Sequence, residues 1–366
     1  MPTSRSNDFR IAVFAGDGIG HEITEPCLTL IERALVRSGG VGVTPVRLAA
    51  GAGAYRDAGA ALPAASLAEA RRADAILLAA MGDPAVRYPD GTEIMPQVDL
   101  RMEFGLYAGV RPVRSIRGVG GPLADPRASD LDFVIIREST EGLFAHFRDG
   151  VVEDDRAAHD RLTITRAGSE RVIDFAFRLA AVRKSRGGKG LVTSVDKANA
   201  FKSYAFFRKI FDERAALHPE LASSRVYVDA MALELVRRPW DYDVLVMENI
   251  FGDILSDLGA GLMGGLGFAP SADIGDVHAV FQPCHGTAPD IAGKGIANPT
   301  AMFLSGAMML EWLGERHGSP ETVAAGRQIR DAVDRAFAGG RLLPYERGGT
   351  AGTREITAAV MRELDA

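Results

Sequence analysis

The amino-acid sequence predicts an α/β protein in which a β-sheet is flanked by helices. Short apolar segments typical of buried strands alternate along the chain with longer segments of helical periodicity. The chain has 366 residues, is 47% hydrophobic and 25% charged, and is therefore large enough for two globular domains. No internal repeat or low-complexity linker interrupts the alternation.

The alternation is clearest in the first half of the chain. Strands are predicted at Ile11–Ala15, Val43–Leu48, Ala75–Met81, Phe133–Arg137 and Leu162–Thr165. A helix is predicted at His21–Val36, and Ser66 and Glu69 are spaced as the capping box of another helix. The Gly- and Pro-rich segment Arg117–Ser129 is predicted to be a loop.

The second half continues the pattern and ends in helices. Further strands are predicted at Gly190–Val195, Arg225–Val228 and Val244–Met247. Helices are predicted at Gly168–Lys184, Asn199–Leu217, Thr300–Leu313, Pro320–Phe337 and Thr353–Leu364.

Composition also indicates what the protein does not bind. A net charge of −6 argues against nucleic acid as a partner. The two cysteines, Cys27 and Cys284, offer neither a disulfide framework nor metal-binding spacing, which favours a reducing cytoplasm. The polar segment Met1–Asp8 lacks the apolar core of a signal peptide, and no apolar run is long enough to span a membrane. We therefore expect a cytoplasmic protein.

Two carboxylates follow the strand predicted at Val244–Met247. Asp253 and Asp257 are spaced i, i+4, so they project from one helix face and repel each other. A hard divalent cation such as Mg²⁺ or Mn²⁺ would relieve the repulsion. The alternative is an exposed acidic face, but Glu248–Asp257 contains no Lys or Arg partner and has apolar neighbours.

Three glycine-containing segments are candidates for a nucleotide-binding site. Gly16–Gly20 follows a predicted strand but lacks the spacing of a dinucleotide-binding fingerprint. Gly259–Gly264 has that spacing but follows a helix instead of a strand, so both segments are interpreted as turns and close packing. The segment His285–Pro299 combines turn residues, backbone donors, an imidazole and a carboxylate, which suits a ribose and a phosphate. A capped helix with a surface histidine is the alternative.

Six motifs together carry a family resemblance. In chain order they are GDGIG (from Gly16), SVDKANAF (from Ser194), VDAMAL (from Val228), ENIFGDILSDL (from Glu248), HGTAPDIAGKGIANP (from His285) and GGTAGTREIT (from Gly348). From about residue 10 to the C-terminus the chain resembles the β-decarboxylating dehydrogenases, a family that includes 3-isopropylmalate, isocitrate, homoisocitrate, tartrate and D-malate dehydrogenases.

The resemblance implies an isopropylmalate-dehydrogenase-like two-domain α/β fold, distinct from the Rossmann fold, with a mixed β-sheet flanked by helices. Residues 1–106 plus 264–366 would form the cofactor-binding domain, and residues 107–263 the substrate and dimerisation domain. It also implies a homodimer with shared active sites that acts on a small hydroxy di- or tricarboxylate.

The resemblance assigns the metal and the chemistry to four residues. Asp229, Asp253 and Asp257 are expected to bind Mg²⁺ or Mn²⁺, with Asp229 and Lys197 coming from the second subunit. Lys197 is expected to take the proton of the substrate hydroxyl while a hydride passes to NAD⁺, and decarboxylation of the resulting keto acid follows.

The substrate residues are also assigned by motif position. A guanidinium forms a rigid fork that suits a carboxylate, although any one arginine on its own would be interpreted as a surface residue. The expected carboxylate ligands are Arg101, Arg111 and Arg137. Gln97 and Val98 stand where family members recognise the group on C3, and neither the isocitrate signature nor the paired leucines of isopropylmalate enzymes are present.

The resemblance places the cofactor on the segment His285–Pro299. The expected NAD-binding residues are His285, Gly286, Ala288, Asp290 and Asn298. A carboxylate at Asp290 can accept hydrogen bonds from ribose hydroxyls and would repel a 2′-phosphate, which favours NAD⁺ over NADP⁺.

One position departs from the family. Phe144 stands where relatives carry a tyrosine assigned to protonating the enol, so His146 or water is expected to supply that proton. The expected activity is oxidative decarboxylation of a 3-substituted malate, as in 3-isopropylmalate dehydrogenase. The alternatives are tartrate or D-malate oxidation, with or without decarboxylation, then isocitrate or homoisocitrate oxidation, and finally a non-catalytic regulatory paralogue.

Overall fold

The structure, a computed structural model, describes residues 8–39 and 42–366. Of the polar N-terminal segment Met1–Asp8, only Asp8 lies within the described residues. Within the described ranges, no helix has the length and apolar character needed to cross a membrane.

A ten-stranded mixed sheet forms the centre of the molecule. In chain order the strands are β1 (Phe9–Gly16), β2 (Val43–Arg47), β3 (Ala75–Ala80), β4 (Ala108–Arg114), β5 (Asp132–Glu138), β6 (Val151–Glu153), β7 (Ala157–His159), β8 (Leu191–Asp196), β9 (Ala222–Tyr227), β10 (Val244–Met247), β11 (Pro270–Ile274) and β12 (Ala279–Pro283). Across the sheet they are ordered β2-β1-β3-β12-β11-β4-β5-β10-β8-β9, while β6 and β7 form a separate exposed hairpin.

Helices cover the sheet. In chain order they are α1 (Gly20–Ser38), α2 (Ala52–Ala58), α3 (Ala64–Ala70), α4 (Pro96–Glu103), α5 (Arg166–Ser185), α6 (Lys202–Ala215), α7 (Val228–Arg237), α8 (Asn249–Met263), α9 (Thr300–His317), α10 (Pro320–Phe337) and α11 (Thr353–Asp365). Helices α1, α9, α10 and α11 pack together, and α5 packs with α6 near the other end of the sheet.

The sequence explains why the sheet is covered. Strands β3 and β10, with the sequences AILLAA and VLVM, are buried along their whole length and pair in parallel with their neighbours. Such continuous apolar strands are typical of sheets with helices on both faces. The pairing is antiparallel where β11 meets β12 and β4, and where β4 meets β5.

The strand order separates the chain into two groups. Strands from residues 9–80 and 270–283 form one half of the sheet, and strands from residues 108–247 form the other half. The expected domain division would run between these halves, at the β11–β4 pairing. Because one sheet passes through both halves, the division stays a prediction.

The predicted α/β class is confirmed, and most predicted elements are present with ends shifted by at most four residues. The strand predicted at Leu162–Thr165 is wrong. Thr163 makes one isolated bridge with Gly142, and the Thr165 hydroxyl caps α5 by accepting a hydrogen bond from the Gly168 N–H at 3.0 Å. Capping and a single bridge therefore satisfy this segment without a strand.

The capping box predicted from Ser66 and Glu69 is also wrong. The N-cap of α3 is Pro63, so Ser66 lies inside the helix. The Glu69 carboxylate instead pairs with Arg10 and Arg72.

The packing interpretation of Gly259–Gly264 is confirmed. These residues end α8 instead of following a strand. A Cβ on Gly259 would lie 2.6 Å from the Val113 side chain, closer than any real contact. The glycine therefore lets α8 approach β4 closely.

Candidate active site

The register of three central strands brings charged side chains onto one face of the sheet. Gly109 on β4 pairs with Arg137 on β5 and with Asp273 on β11. A Cβ at Gly109 would lie 2.5 Å from Ser139 Oγ, 3.2 Å from Asp273 Oδ1 and 3.3 Å from Arg137 Cβ. Glycine at this position therefore leaves the space that the neighbouring side chains fill.

Asp273 is the buried centre of this face. Its Oδ2 accepts hydrogen bonds from Arg101 Nε and Gln282 Nε2, each at 3.0 Å. Its Oδ1 accepts from Arg111 Nη2 at 3.1 Å and from Ser139 Oγ at 3.3 Å. Burial opposes ionisation of Asp273, but the arginine charges outweigh it and lower its pKa to about 2. The structure thus gathers two of the three predicted arginines around an ionised carboxylate.

Arg137 joins this cluster from the end of β5. Its Nε donates to Asn249 Oδ1 at 2.8 Å, and its Nη1 forms an ion pair with Asp253. Burial, together with repulsion by Arg101, lowers the Arg137 pKa to about 10. The guanidinium therefore stays charged at neutral pH and lies between the arginine cluster and the predicted metal ligands.

The acidic pair faces these arginines. Helix α8 approaches β5 through Gly252, where a Cβ would lie 2.5 Å from Arg137 Cβ. Burial raises the pKa of Asp257, and the charge of Asp253 raises it further. A divalent cation would relieve that repulsion, and carboxylate oxygens are suitable ligands for Mg²⁺ or Mn²⁺. The Arg137 contact also argues against the alternative of a purely solvated acidic face.

The third predicted metal ligand lies in a separate group. Asp229, near the start of α7, accepts a hydrogen bond at 2.7 Å from Nζ of Lys197, which directly follows β8. This bond lowers the pKa of Asp229. Within residues 8–39 and 42–366, no three His, Cys, Asp or Glu side chains of one chain are grouped to hold a metal. One chain therefore presents Asp253 with Asp257, and Lys197 with Asp229, as two pairs.

The predicted cofactor segment is tied to the N-terminal glycine turn. The Ile19 N–H donates to the Thr287 carbonyl at 2.9 Å, and Gly18 packs directly against Thr287. Burial lowers the pKa of His285, whose Nδ1 contacts the Gly286 carbonyl at 2.9 Å. Its Nε2 is buried without a hydrogen-bond partner, so the imidazole has one unused polar atom.

The other predicted cofactor residues differ in availability. Gly286 and Asp290 are exposed, and Ala288 has a positive φ of 40°. Asn298 is buried, and its Oδ1 accepts from the Thr300 hydroxyl at 2.7 Å while its Nδ2 donates to Glu346 at 2.8 Å. Asn298 therefore has little unused hydrogen-bonding capacity of its own.

The chain is similar to known proteins over nearly its whole length. The model of the isocitrate/isopropylmalate dehydrogenase family matches residues 10–360. The chain belongs to this family. The resemblance inferred from the six motifs is thereby confirmed, and the protein is an oxidoreductase.

Relatives cover nearly the whole chain. The 3-isopropylmalate/3-methylmalate dehydrogenase of Methanocaldococcus jannaschii is 38% identical over 97% of this chain and 98% of its own length. The 3-isopropylmalate dehydrogenase of Methanothermobacter thermautotrophicus is 39% identical, with the same two coverages. The crystal structure of isocitrate dehydrogenase from Methylococcus capsulatus has a TM-score of 0.84 and 37% identity, covering 98% of this chain and all of that one. The predicted fold is confirmed by these matches.

Helix α4 carries the family positions predicted to contact the C3 group. Val98 is only 3% exposed, so it offers little surface to a ligand. Gln97 is half-buried, and its Oε1 is buried without a hydrogen-bond partner. Gln97 is therefore the better placed of the two to contact a substrate, and its Oε1 suits a substrate group that donates a hydrogen bond.

The position that departs from the family lies beside the arginine cluster. The Phe144 ring centre is 5.2 Å from the Arg137 guanidinium carbon, so the ring covers a cation but offers no proton. Both ring nitrogens of His146 are engaged, Nδ1 with Asp149 at 3.0 Å and Nε2 with Thr163 at 2.9 Å. These contacts engage both ring nitrogens of His146 and leave neither one free to donate a proton without breaking a contact.

The sequence reasoning missed three residues of the site, namely Asp273, Gln282 and Ser139. Asp273 interrupts the otherwise uncharged buried strand β11, and a lone charge in such a strand was the available signal. Gln282 lies nine positions away on the next strand, but Arg101, Arg111 and Ser139 are separated from Asp273 by 172, 162 and 134 positions, and only the fold shows that they meet.

A buried carboxyl next to the arginine cluster provides a pH test of stability. Burial raises the pKa of Glu138, the last residue of β5, from an ordinary value of 4.5 to about 7. Between these values the folded chain holds a proton that the unfolded chain releases, so stability falls as pH rises through this range. Between pH 4.5 and pH 7, we expect the free energy of unfolding of Glu138→Gln to rise by roughly 3 kcal/mol relative to that of wild type. Denaturant unfolding of both proteins across this range checks this, and parallel profiles would contradict it.

Proposed function

We propose that this protein is an NAD⁺- and divalent-metal-dependent dehydrogenase that oxidises and decarboxylates a 3-substituted malate of the 3-isopropylmalate type. The observation that carries the proposal is the Arg101, Arg111 and Arg137 cluster facing Asp253 and Asp257 in one site. Three guanidinium groups next to two carboxylates that can bind a divalent cation suit a small dianionic hydroxy acid. Relatives named 3-isopropylmalate dehydrogenase, at 38 and 39% identity, support the choice of substrate.

The arginines have free donors for substrate carboxylates. Arg101 uses only Nε in contacts with the described residues, which leaves both terminal nitrogens unpaired. Arg137 uses Nε and Nη1, which leaves Nη2. These remaining donors would bind and orient the substrate carboxylates beside Asp253.

The acidic residues and the lysine would act on the hydroxyl carbon. Asp253, Asp257 and Asp229 of a second subunit would hold the cation. When bound, Mg²⁺ or Mn²⁺ and NAD⁺ would supply Lewis acidity and a hydride acceptor. Lys197 in its neutral amine form would accept the hydroxyl proton at Nζ, directly or through water, and its bond to Asp229 orients that nitrogen.

The segment His285–Pro299 would hold NAD⁺. The unpaired His285 Nε2 and the exposed backbone at Gly286 provide polar groups for a ribose or phosphate. Exposed Asp290 would accept hydrogen bonds from ribose hydroxyls and repel a 2′-phosphate. We therefore propose NAD⁺ as the cofactor.

We propose a homodimer with shared active sites. Leu233 and Val236 on α7 are 53% and 49% exposed, and Ile254 on the adjacent α8 is 64% exposed. The β6–β7 hairpin exposes Val151 and Val152 as well. Leu233 and Val236 lie close in sequence to Asp229, and Ile254 is next to Asp253, so burying these three side chains against a second subunit would also bring the two pairs of site residues together. We place the enzyme in the cytoplasm because both of its cysteines are free.

Tartrate is a second candidate substrate because of Gln97. Its buried, unpaired Oε1 can accept a hydrogen bond from a C3 hydroxyl but gains nothing from an isopropyl group. Leaving the acceptor unpaired would cost binding energy with an apolar C3 group.

The test is NADH formation at 340 nm with Mg²⁺ or Mn²⁺, offering 3-isopropylmalate, tartrate, D-malate and isocitrate separately, each with NAD⁺ and with NADP⁺. We expect the highest kcat/KM with 3-isopropylmalate and NAD⁺, together with stoichiometric CO₂ release. A higher kcat/KM with tartrate would select the second candidate. No turnover of any of the four would overturn the proposal in favour of a non-catalytic paralogue.

A further inference from the structure

Asp273 is a carboxylate that the protein itself places among the residues expected to bind substrate carboxylates. It is 1% exposed and receives hydrogen bonds from four side chains on four different parts of the chain. Because both oxygens are fully engaged, the group is fixed in one position. It occupies donors of Arg101 and Arg111 before any substrate arrives.

This carboxylate changes the charge of the site. Arg101, Arg111 and Arg137 together carry three positive charges, and ionised Asp273 cancels one of them. The low pKa of Asp273 keeps this cancellation in place at neutral pH. In a buried site, adding or removing one charge has a strong effect on the affinity for anions.

The carboxylate also fixes the arginine geometry. Arg111 donates to the Ala272 carbonyl at 3.0 Å and to the Asp273 carboxylate at 3.1 Å. One backbone group and one side chain of β11 therefore fix the position of its guanidinium. Arg101 is held only through Nε, and its terminal nitrogens stay free of contacts with the described residues. A ligand would therefore meet arginines that are already oriented.

We propose that Asp273 is a specificity-determining residue, an internal carboxylate that orients Arg101 and Arg111 and makes the site select dicarboxylate over tricarboxylate 2-hydroxy acids. The inference rests on the proposed function, because it names the substrate class of that same site. A tricarboxylate carries one more negative charge than a dicarboxylate, and ionised Asp273 already cancels one of the three arginine charges, so the site attracts a tricarboxylate less strongly than it would without Asp273.

The first experiment compares wild type with Asp273→Asn, which keeps the shape and one acceptor but removes the charge. We measure kcat/KM for isocitrate and for 3-isopropylmalate in both proteins. The kcat/KM for isocitrate divided by the kcat/KM for 3-isopropylmalate is expected to rise about tenfold or more in the variant. An unchanged ratio in a folded, active variant would overturn the inference.

The matched control is Asp243→Asn. Asp243 is also 1% exposed and also binds an arginine, with its Oδ1 accepting from Arg183 Nε at 2.6 Å, but it lies at the opposite end of β5 from the arginine cluster. This variant is expected to lose stability while keeping the wild-type substrate ratio. An equal change of ratio in both variants would assign the effect to general loosening and overturn the inference.

A second measurement needs no variant and therefore does not depend on folding of Asp273→Asn. Glutarate and propane-1,2,3-tricarboxylate differ by one carboxylate and serve as competitive inhibitors of the wild-type enzyme. We expect the tricarboxylate to bind no more tightly than glutarate. Tenfold tighter binding of the tricarboxylate would overturn the inference, whereas wild type that turns over none of the hydroxy acids would instead refute the proposed function.

Discussion

Combining two inactive variants, Lys197→Ala and Asp253→Asn, in one mixed dimer is expected to restore about one half of wild-type activity, as two-fold symmetry with shared sites requires. On one chain Lys197 pairs with Asp229, while Asp253 pairs with Arg137, and Lys197 forms no ion pair with Asp253 within 4.0 Å in the described ranges. Each variant alone is expected to lose about 10²–10⁴-fold in kcat because it lacks a proton acceptor or a metal ligand.

The recovery follows from which chain supplies which residue. In a mixed dimer, one site combines an intact Asp253 with an intact Lys197 from the other subunit, and the second site carries both substitutions. Random pairing makes about half of the dimers mixed, each with one working site of two.

The experiment is co-expression of the two variants with different affinity tags, purification through both tags, and measurement of NADH formation. Co-expression of two differently tagged Lys197→Ala chains is the negative control. Lys189→Ala is the matched lysine control, because Lys189 Nζ donates only to the Tyr242 carbonyl, away from the site. A purified mixed dimer without activity would mean that each chain builds its site alone, contrary to the proposal.

The sequence predicted the elements whose periodicity is complete within a short window. Val244–Met247 and Pro320–Phe337 have the predicted ends because an apolar tetrapeptide and an amphipathic helix need no distant partner to be recognised. Strands β4, β11 and β12 were not predicted. Their residues become strand through pairing in the middle of the sheet, which no local pattern encodes: β11 pairs antiparallel with β4 and β12, β4 pairs antiparallel with β5, and β12 pairs in parallel with β3.

The site shows the same limit. Asp253 and Asp257 are one helical turn apart, so their shared face is visible in the sequence. Asp273 and Arg101 are separated by 172 positions, and their contact depends on the sheet register and on the absence of a side chain at Gly109. Family motifs named the arginines one by one, but only the fold reveals the internal carboxylate that they share.

Arg137→Met is expected to lower kcat/KM roughly 10²–10³-fold, mainly through a higher KM for the hydroxy acid. Arg137 is 3% exposed and is the residue that touches both the predicted metal ligand Asp253 and the buried Asn249. Methionine keeps the apolar volume but can neither bind a substrate carboxylate nor hold Asp253 in place. The unpaired Asn249 oxygen costs about 1–3 kcal/mol of stability, which relief of repulsion with Arg101 partly offsets.

Arg114→Met provides a matched control on the same sheet. Arg114 ends β4 and pairs with Asp334 on α10 through two bonds of 2.8 Å, and both side chains are 32% exposed. Removing this pair is expected to cost about 1 kcal/mol or less, because the charges are partly solvated, and to leave kcat/KM unchanged. Steady-state kinetics and denaturant unfolding of both variants separate the two effects. If Arg137→Met keeps kcat/KM within tenfold of wild type, Arg137 does not bind the substrate, and the arginine cluster has only a structural role.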